Sequence, residues 1–334
     1  MKKILIIQTA FIGDTVLATA LVVKLKSYFP DAEIHFLLRK GNEGLLSSHP
    51  QISQVLIWNK KKNKYGNLFR LWKQVRANRY DLLINLQRYW ATGFLTAFSG
   101  ARETRGFSSN PMSLFFDRSF PHSFDKTAVR HEIYRNQALI ADLTDQSPSM
   151  PNLHVDEAAE IAAKTYRKNS YITITAGSVW FTKRLPIEKW IDFIHRVDGR
   201  YDIYLLGGKE EYGINEEIIR RCNRPNLFNL AGKQSFGESF ALMRTAQMNY
   251  VNDSAPLHFC SALNAPVTAV FCSTSPDFGF GPLSERSFVV ETREKLSCRP
   301  CGVHGRKSCP QKHFSCAYGI NTDQLLQTLE HDAV

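Results

Sequence analysis

The stretch Val251-Asn252-Asp253-Ser254-Ala255-Pro256-Leu257-His258-Phe259 is the part of this sequence that decides its fold. The apolar run Met248 to Val251 predicts a strand, and Ala255-Pro256 predicts the start of a helix that continues to about Leu263. Proline fits the first helical turn because its missing N–H is not needed there. A polar turn between a strand and a helix N-terminus presents free backbone amides, which form an anion site, and phosphate is the usual occupant.

Two interpretations of this turn remain open at the level of the residues. His258 lies in the first turn of the predicted helix, where it could reach the same ligand. Alternatively, Asp253 or Ser254 only caps the helix, as short polar side chains commonly do, and His258 packs in the protein interior.

Length and composition indicate a globular protein with two domains. Single cores rarely grow beyond about 250–300 residues, and this chain has 334, of which 43% are hydrophobic. No apolar run approaches the ~20 residues of a membrane span. The N-terminus resembles the start of a signal peptide, but its apolar run is short and is followed by Gln8 and Asp14. We therefore expect a cytoplasmic protein that begins with a buried strand.

Short apolar runs alternate with helical patterns along the chain, which predicts an α/β fold with parallel sheets covered on both faces. The predicted strands of the first series are Ile4–Ile7, Ile34–Leu38, Val55–Trp58 and Leu82–Asn85. A second series begins at Ile172–Thr175, after a proline-containing linker within Asp145 to Asp156. We expect two doubly wound domains, residues 1–155 and 156–334, with ligands at the carboxyl ends of the strands, in the cleft between the domains.

The stretch Gln8 to Thr15 joins the first predicted strand to the first predicted helix, Thr15–Tyr28. It lacks the Gly-x-Gly-x-x-Gly pattern of dinucleotide binders, which argues against a dehydrogenase. Gly13 permits a sharp turn before Asp14. Asp14 is either the N-cap of the helix or, because it lies at the carboxyl end of a strand, a general base.

Two further strand ends carry polar residues. In Thr175 to Arg184, Gly177 and Ser178 allow a ligand to approach the backbone, and Lys183 suits a diphosphate leaving group, whose growing charge needs stabilisation. Lys183 as an ordinary surface charge is the alternative. A later strand ends in Gly207-Gly208-Lys209-Glu210-Glu211, where a carboxylate could bind ribose hydroxyls.

The net charge of +11 and the pI near 9.3 suggest a polyanionic partner. The segment Lys60 to Arg79 contains eight Lys or Arg residues and no acid, and its lysines include Lys60, Lys61, Lys62 and Lys64. A solvated basic face is one interpretation, and contact with lipid or glycan phosphates is the sharper one. No nucleic-acid-binding signature accompanies the charge, so we expect no nucleic acid as partner.

In their order along the chain, these motifs resemble glycosyltransferase family 9, the lipopolysaccharide heptosyltransferases. The last matching segment, Thr274 to Phe278, is most similar to heptosyltransferase II. The matching segments are Gly13-Asp14, Gly177-Ser178, Thr182 to Pro186, Gly207-Gly208, Leu230 to Gly232, Asn252 to His258 and Thr274 to Phe278.

The resemblance implies a GT-B fold, in which two Rossmann-like domains face each other across a cleft. The acceptor would bind the N-terminal domain, and ADP-heptose the C-terminal domain. By position, Asp14 would be the catalytic base, and Lys183 would stabilise the diphosphate. Ser178 and the turn would hold phosphates, Glu210 or Glu211 ribose, and Gly232 to Gln234 adenine. The implied donor-binding residues are Ser178, Glu210, Glu211, Gly232, Gln234, Asp253, Ser254, Ala255, Pro256, Leu257 and His258.

Two departures from the family pattern bear on the site. Ala255 stands where the family usually has glycine, so the phosphate turn must tolerate a Cβ. The Phe278-Gly279-Phe280-Gly281-Pro282 stretch also differs from many members, which leaves the exact sugar open. The sequence contains no Asp-x-Asp, and the family implies a reaction without metal or other cofactor.

Seven cysteines in a chain without a secretion signal indicate reduced thiols. Four of them lie close together, and the pair Cys298-x-x-Cys301 has the spacing of a zinc knuckle. The later spacings to Cys309 and Cys316 are not typical of a second half-site. A structural zinc at these four residues is therefore a minor alternative to free thiols.

From the resemblance we expect an inverting enzyme that transfers heptose from ADP-heptose to the inner core of lipopolysaccharide. Its acceptor would be a lipid-anchored, anionic glycolipid, and the protein would contact the inner membrane peripherally from the cytoplasm. Two alternatives remain. One is a non-catalytic protein that binds a nucleotide sugar or an anionic glycan. The other is a family 9 transferase with another sugar and another surface glycan as acceptor.

Overall fold

The computed structural model describes residues 1–122 and 131–330. The chain divides into two compact units, Met1–His154 and Val155–Val334. Among the described residues, no helix is long and apolar enough to span a membrane.

The first unit is built on a six-stranded parallel sheet with the order β3-β2-β1-β4-β5-β6. Its core forms because the inner strands are continuous apolar runs: Ile4 to Ile7 in β1 and Leu82 to Ile84 in β4 are completely buried. The elements are β1 (Lys3–Ile7), α1 (Ile12–Tyr28), β2 (Glu33–Arg39), β3 (Gln54–Trp58), α2 (Lys64–Asn78), β4 (Leu82–Asn85), α3 (Trp90–Ala97), β5 (Glu103–Phe107), β6 (Arg118–Phe120) and α4 (Glu132–Gln137).

The second unit repeats this architecture in a parallel sheet with the order β12-β11-β10-β7-β8-β9. The elements are α5 (Glu157–Ala163), β7 (Tyr171–Thr175), α6 (Ile187–Arg196), β8 (Asp202–Leu205), α7 (Tyr212–Cys222), β9 (Leu227–Asn229), α8 (Phe236–Thr245), β10 (Met248–Asn252), α9 (Ala255–Leu263), β11 (Val267–Val270), β12 (Ser287–Val290), α10 (Ser315–Tyr318) and α11 (Asp323–Glu330).

The end of the described chain belongs to the core of this second unit. Phe314, Ile320 and Leu325 pack in one cluster with Trp190 and Tyr250, and all five are nearly or completely buried. Two hydrogen bonds add to this packing, from the Tyr250 hydroxyl to Leu325 O (3.1 Å) and from Lys189 Nζ to Ile320 O (2.8 Å). The residues after β12 therefore complete the core rather than form an appendage.

The predicted α/β class with two doubly wound parallel sheets is confirmed. The apolar-run pattern did not reveal β5, because this strand contains Glu103 and Arg105. Arg105 is nonetheless completely buried, since Glu103 and Asp142 pair with its guanidinium. A buried charge is tolerated only with such partners.

Candidate active site

The loops after β7 and β10 leave the second sheet at the same edge. These two strands are parallel neighbours, with Val251 opposite Thr175. The polar residues that follow them therefore lie at adjacent carboxyl ends, where open α/β sheets bind ligands.

Helix α9 begins at Ala255, as predicted, and follows β10 after a two-residue turn, because the strand continues to Asn252 rather than ending at Val251. Ser254 holds the N-cap position, but its side chain makes no capping hydrogen bond, and its hydroxyl donates instead to Asn252 O (3.3 Å). Pro256 lies in the first helical turn. The interpretation of Ser254 as a capping side chain is therefore wrong. Ala255, Pro256 and Leu257 form the first turn of α9, and His258, 6% exposed, lies near the Phe280 ring.

Asp253 pairs with Lys183 beside this turn. Lys183 ends a single turn of 3-10 helix, Phe181–Lys183, and its Nζ lies 2.7 Å from Asp253 Oδ2. Only 14% of the Lys183 side chain and 6% of the Asp253 side chain are exposed. The Thr274 hydroxyl donates to the same Oδ2 at 2.6 Å. The pair brings a mostly buried cation to the N-terminus of α9, which excludes Lys183 as an ordinary surface charge.

Asn252 joins the loops on either side of the pair. Its side-chain amide donates to Ala176 O (2.8 Å) and Gly177 O (3.3 Å), and its Oδ1 accepts the Leu185 N–H (3.0 Å). The residue is completely buried. Asn252 therefore fixes both ends of the loop that carries Ser178 and Lys183.

The glycine at position 177 makes room for a carboxylate. Glu211 accepts the Gly208 N–H (2.8 Å) and folds over Gly177, where an added Cβ would lie 2.8 Å from Glu211 Oε1 and closer still to its Cγ. Ser178, 6% exposed, comes next in the chain. Glu210 is exposed, and its Oε2 lies near Gly208 rather than over Gly177. The structure thus brings Glu211, rather than Glu210, beside the Gly177-Ser178 turn.

The predicted adenine segment lies next to the same strand ends. Gly232 has a φ of +70°, and its N–H donates to Gly207 O (2.9 Å). A Cβ at Gly232 would lie 3.0 Å from the Lys209 backbone, so the close approach requires glycine. Gln234 donates to the Tyr166 hydroxyl at 3.1 Å. These contacts bring Gly232 beside the loop that carries Glu211.

A segment that the sequence did not assign to the site, Cys298 to Arg306, supports the Lys183 loop. The Thr182 hydroxyl accepts the Arg306 N–H (2.7 Å) and the Ser273 hydroxyl (2.9 Å), and Gly305 lies so close that an added Cβ would be 3.0 Å from Lys183 Cγ. Arg299 donates to Cys272 O (2.7 Å) and Thr274 O (2.8 Å). No motif reveals these contacts, because they join residues more than 90 positions apart or are made to backbone atoms.

The four clustered cysteines, two in this segment and two after it, are free thiols: Cys298, Cys301, Cys309 and Cys316. Burial, together with Cys298 and Cys309, raises the pKa of Cys301, and burial with the three other cysteines raises that of Cys316 to about 11. Within the described ranges, no group of three or more His, Cys, Asp or Glu side chains is arranged to hold a metal ion. The structural zinc considered from the Cys298-x-x-Cys301 spacing therefore has no support in the geometry.

In the first unit, Asp14 lies inside helix α1, which begins at Ile12 and not at Thr15 as predicted. Its carboxylate accepts the Phe11 N–H (3.2 Å) and thereby closes the first helical turn. Gly13, which was predicted to permit a turn, is a buried residue of this helix. Burial lowers the pKa of the nearby Arg39, and the Asp14 carboxylate offsets part of this shift. Asp14 thus is not an N-cap, although it helps to satisfy the helix terminus.

A pocket of about 490 Å³ lies in the first unit, and its lining includes Thr9, Trp58, Lys60, Tyr65 and Trp90. Lys60 Nζ donates to Thr9 O (2.8 Å) and Thr9 Oγ1 (3.0 Å) and lies 4.7 Å from the centre of the Trp58 ring. Burial, with Arg39 and Lys64 nearby, lowers the pKa of Lys60 to about 8. Aromatic rings beside a desolvated cation suit a ligand that combines sugar faces with anionic groups.

The four lysines predicted to contact the acceptor differ in their surroundings. Lys60 and Lys64 line the pocket. Lys61 and Lys62 are exposed, and their backbone N–H groups donate to Asn59 Oδ1. The structure thus sets Lys60 apart from the other three, because Lys64, although it lines the pocket, is exposed like Lys61 and Lys62.

Solved structures similar to this chain share its fold. A family 9 glycosyltransferase from Veillonella parvula superposes with a TM-score of 0.85 at 21% identity, over 99% of this chain and 96% of that one. ADP-heptose lps heptosyltransferase II from Escherichia coli superposes with a TM-score of 0.78 at 22% identity, over the whole of both chains. Both likenesses support the GT-B architecture expected from the sequence.

Sequence comparison extends this result from fold to family. Lipopolysaccharide heptosyltransferase 3 of Escherichia coli is 29% identical over 292 residues, which cover 80% of this chain and 83% of that protein. Residues 68–311, well over half of the chain, match glycosyltransferase family 9 (heptosyltransferase). The chain therefore belongs to glycosyltransferase family 9, the heptosyltransferase family.

Proposed function

We propose that this protein transfers heptose from ADP-heptose to the inner core of lipopolysaccharide, with inversion at the anomeric carbon and without a metal ion. The observation that carries the proposal is the buried Lys183–Asp253 pair at the N-terminus of α9. A mostly buried cation and a helix N-terminus meet there, as a diphosphate requires. The similarity to lipopolysaccharide heptosyltransferases supports the choice of sugar and acceptor.

The donor would lie along the carboxyl ends of the second sheet. In this proposal, Ser178 and the first turn of α9 bind the phosphates, and Lys183 faces the diphosphate. Glu211 binds the ribose hydroxyls, because its carboxylate lies beside Gly177-Ser178. Adenine binds near Gly232 and Gln234.

The proposed reaction needs a base for the acceptor hydroxyl and a cation that stabilises the leaving diphosphate. The acceptor hydroxyl attacks the anomeric carbon on the face opposite the diphosphate, and Asp14 takes its proton. The bond from the anomeric carbon to the diphosphate oxygen breaks, and ADP leaves with the electron pair. The Lys183 ammonium offsets the charge that grows on that oxygen. Activity should therefore survive a chelator, and a loss that magnesium or manganese restores would contradict this part of the proposal.

The acceptor would bind the first unit. The pocket beside Lys60 offers aromatic rings for sugar and a cation for phosphate or carboxylate groups. Because the acceptor of this proposed reaction is anchored in lipid, the protein would work at the cytoplasmic face of the inner membrane, in peripheral contact with it.

The test is transfer from ADP-heptose to a lipopolysaccharide-type acceptor by the wild type and by Asp14→Asn. Asn can still accept the Phe11 N–H, so the melting temperature should hold. The rate should fall by about 100-fold or more, the usual scale for loss of a general base. Unchanged activity of Asp14→Asn would assign Asp14 to helix stability alone.

Donor choice is tested separately by thermal shift. A nucleotide sugar at 100 times its dissociation constant stabilises a protein by about 2.7 kcal/mol. We expect this from ADP-heptose and not from UDP-sugars. Stabilisation by UDP-sugars alone would point to another family 9 donor, and donor binding without transfer to any acceptor would favour a non-catalytic binding protein.

A further inference from the structure

Helices α2 and α3 carry a ridge of aromatic side chains, three of them exposed and two half-buried. It consists of Phe69 and Trp72 of α2, Trp90 and Phe94 of α3, and Phe98 at the end of α3, and we call it the aromatic ridge. Neighbouring ring centroids are 5.2 Å apart for Phe69–Trp72, 6.3 Å for Trp72–Phe94, 5.6 Å for Trp90–Phe94 and 5.2 Å for Phe94–Phe98. Phe69 and Trp90 are each 51% exposed, and Phe98 is 44% exposed.

The exposed rings of the ridge, Phe69, Trp90 and Phe98, are not needed to attach α2 to the core. Leu68, Leu71 and Val75 form the buried stripe of that helix. Phe69, which is 51% exposed, and the half-buried Trp72 form a second apolar stripe, and Trp72 also packs against the core of the first unit. The Trp72 indole N–H donates to Phe98 O (2.7 Å), so the second stripe is fixed to α3. A helix whose second apolar stripe is partly exposed offers a binding surface for another molecule.

Lys and Arg side chains lie beside the rings of the aromatic ridge and beside two nearby tyrosines. Lys73 Nζ lies 4.8 Å from the centre of the Phe69 ring, and the Arg76 guanidinium carbon 5.7 Å from that of Trp72. Further along, Lys64 and Arg88 take similar positions over Tyr65 and Tyr89. Helix α2 contains no acidic residue. Any partner of this surface must therefore accept aromatic rings and positive charge together.

Three occupants can be compared on these grounds. A second copy of the chain would bring two sets of cations face to face, which is unfavourable. A single-stranded nucleic acid stacks its bases on separate aromatic platforms, whereas the rings of the ridge contact one another and form one continuous surface. The interface of an anionic bilayer takes up aromatic rings at headgroup depth and attracts neighbouring Lys and Arg.

We propose that the aromatic ridge and its bordering cations are a docking surface for an anionic phospholipid bilayer. The inference rests on the proposed function, since a lipid-anchored acceptor requires the protein to work at a membrane. It adds to that function by naming the surface: the rings enter the headgroup layer, and Lys73 and Arg76 contact lipid phosphates. The pocket beside Lys60 remains the binding site for the glycan part of the acceptor.

The test is co-sedimentation of the full chain with vesicles of phosphatidylcholine containing one-third phosphatidylglycerol. The wild type should bind these vesicles and bind pure phosphatidylcholine far less. Phe69→Ser with Phe98→Ser should weaken binding by about tenfold, and Lys73→Gln with Arg76→Gln by about 25-fold, since each basic residue near an anionic surface contributes about fivefold in affinity. Phe228→Ser, a change at an exposed phenylalanine of the second unit, is the matched control and should bind like the wild type.

Several results would overturn the docking surface. These are no vesicle binding by the wild type, full binding by the Phe69 and Phe98 variant, equal binding to neutral vesicles, or equal affinity for a single-stranded oligonucleotide. A wild type that forms dimers which the Phe69 and Phe98 variant cannot form would assign the ridge to self-association. Melting temperatures of all variants show that they are folded.

Turnover separates this inference from the proposed function. With a water-soluble, delipidated acceptor, the Phe69 and Phe98 variant should transfer heptose as fast as the wild type. With the acceptor embedded in vesicles, the same variant should be slower by about the factor lost in binding. Vesicle binding without any heptose transfer would refute the proposed function and leave the docking surface standing.

Discussion

Replacing Asp253 with Asn removes a carboxylate from the Lys183 pair while keeping the size of the side chain. The Lys183 Nζ lies 2.7 Å from Asp253 Oδ2, and both side chains are mostly buried, so water replaces little of the lost attraction. Removing one partner of a buried pair costs about 3–5 kcal/mol, because the other charge stays buried. At about 2–4 °C per kcal/mol for a domain of this size, the melting temperature should fall by about 10 °C.

ADP should bind this variant more tightly than it binds the wild type. In the wild type, Lys183 is shared between Asp253 and the incoming diphosphate, and the carboxylate repels the phosphates. In Asp253→Asn, the diphosphate replaces the carboxylate as the counter-charge of Lys183. We expect a gain of about tenfold in affinity, which corresponds to about 1.4 kcal/mol. Part of the lost melting temperature should return when ADP is added.

The assays are differential scanning fluorimetry and isothermal titration calorimetry with ADP. Asp145→Asn is the matched control, because it breaks the Lys24–Asp145 pair of the first unit, whose Nζ–Oδ1 distance is also 2.7 Å. The Asp145 side chain is 46% exposed, so the control should lose less stability and should not change ADP affinity. An ADP affinity in Asp253→Asn that is equal to or weaker than that of the wild type would refute the placement of the diphosphate at Lys183.

Three further predictions concern other parts of the molecule. Raising the pH from neutral to about 9 should weaken binding of an anionic acceptor, because Lys60, with its pKa of about 8, loses its charge. Lys60→Arg should flatten the pH profile of the acceptor KM. The same pH profile in the wild type and in Lys60→Arg would contradict this prediction. Thr182→Val should reduce kcat/KM for the donor by about tenfold through lost support from Arg306 and Ser273, whereas Thr182→Ser should retain it. Gly177→Ala should destabilise the protein by about 1–3 kcal/mol through its contact with Glu211. Adding Glu211→Ala should restore the melting temperature, and its failure to do so would mean that the backbone itself requires glycine.

Sequence patterns predicted the elements whose burial depends only on their own residues. Strand β4 and helix α9 have the predicted bounds, Leu82–Asn85 and Ala255–Leu263. They could be predicted because a strand buried on both faces is a continuous apolar run, and Ser-Ala-Pro is a typical helix start. Strand β5 could not, because the burial of Arg105 depends on Asp142, 37 residues further along the chain.

The candidate site shows the same division between local and distant information. The order of motifs identified the loops that carry Lys183, Glu211 and Asp253. It did not show that Asp253 binds Lys183 and Thr274 rather than capping α9, since that arrangement depends on the register of β7 and β10. Nor did it show the support that Arg299 gives to the residues after β11.

The contact between Thr182 and Arg306 also means that the Lys183 loop is synthesised well before the segment that supports it. The two residues are 124 positions apart, so at about 5–20 residues per second the ribosome adds Arg306 roughly 6–25 s after Thr182. During that interval the Lys183 loop exists without Gly305 beside it, and the core around Trp190 lacks Phe314, Ile320 and Leu325. The nascent second unit therefore exposes apolar surface to chaperones and proteases until its last segment emerges. A nonsense codon anywhere between β12 and α10 would yield a polypeptide that contains every proposed donor-binding residue but lacks the segment that completes the core around them.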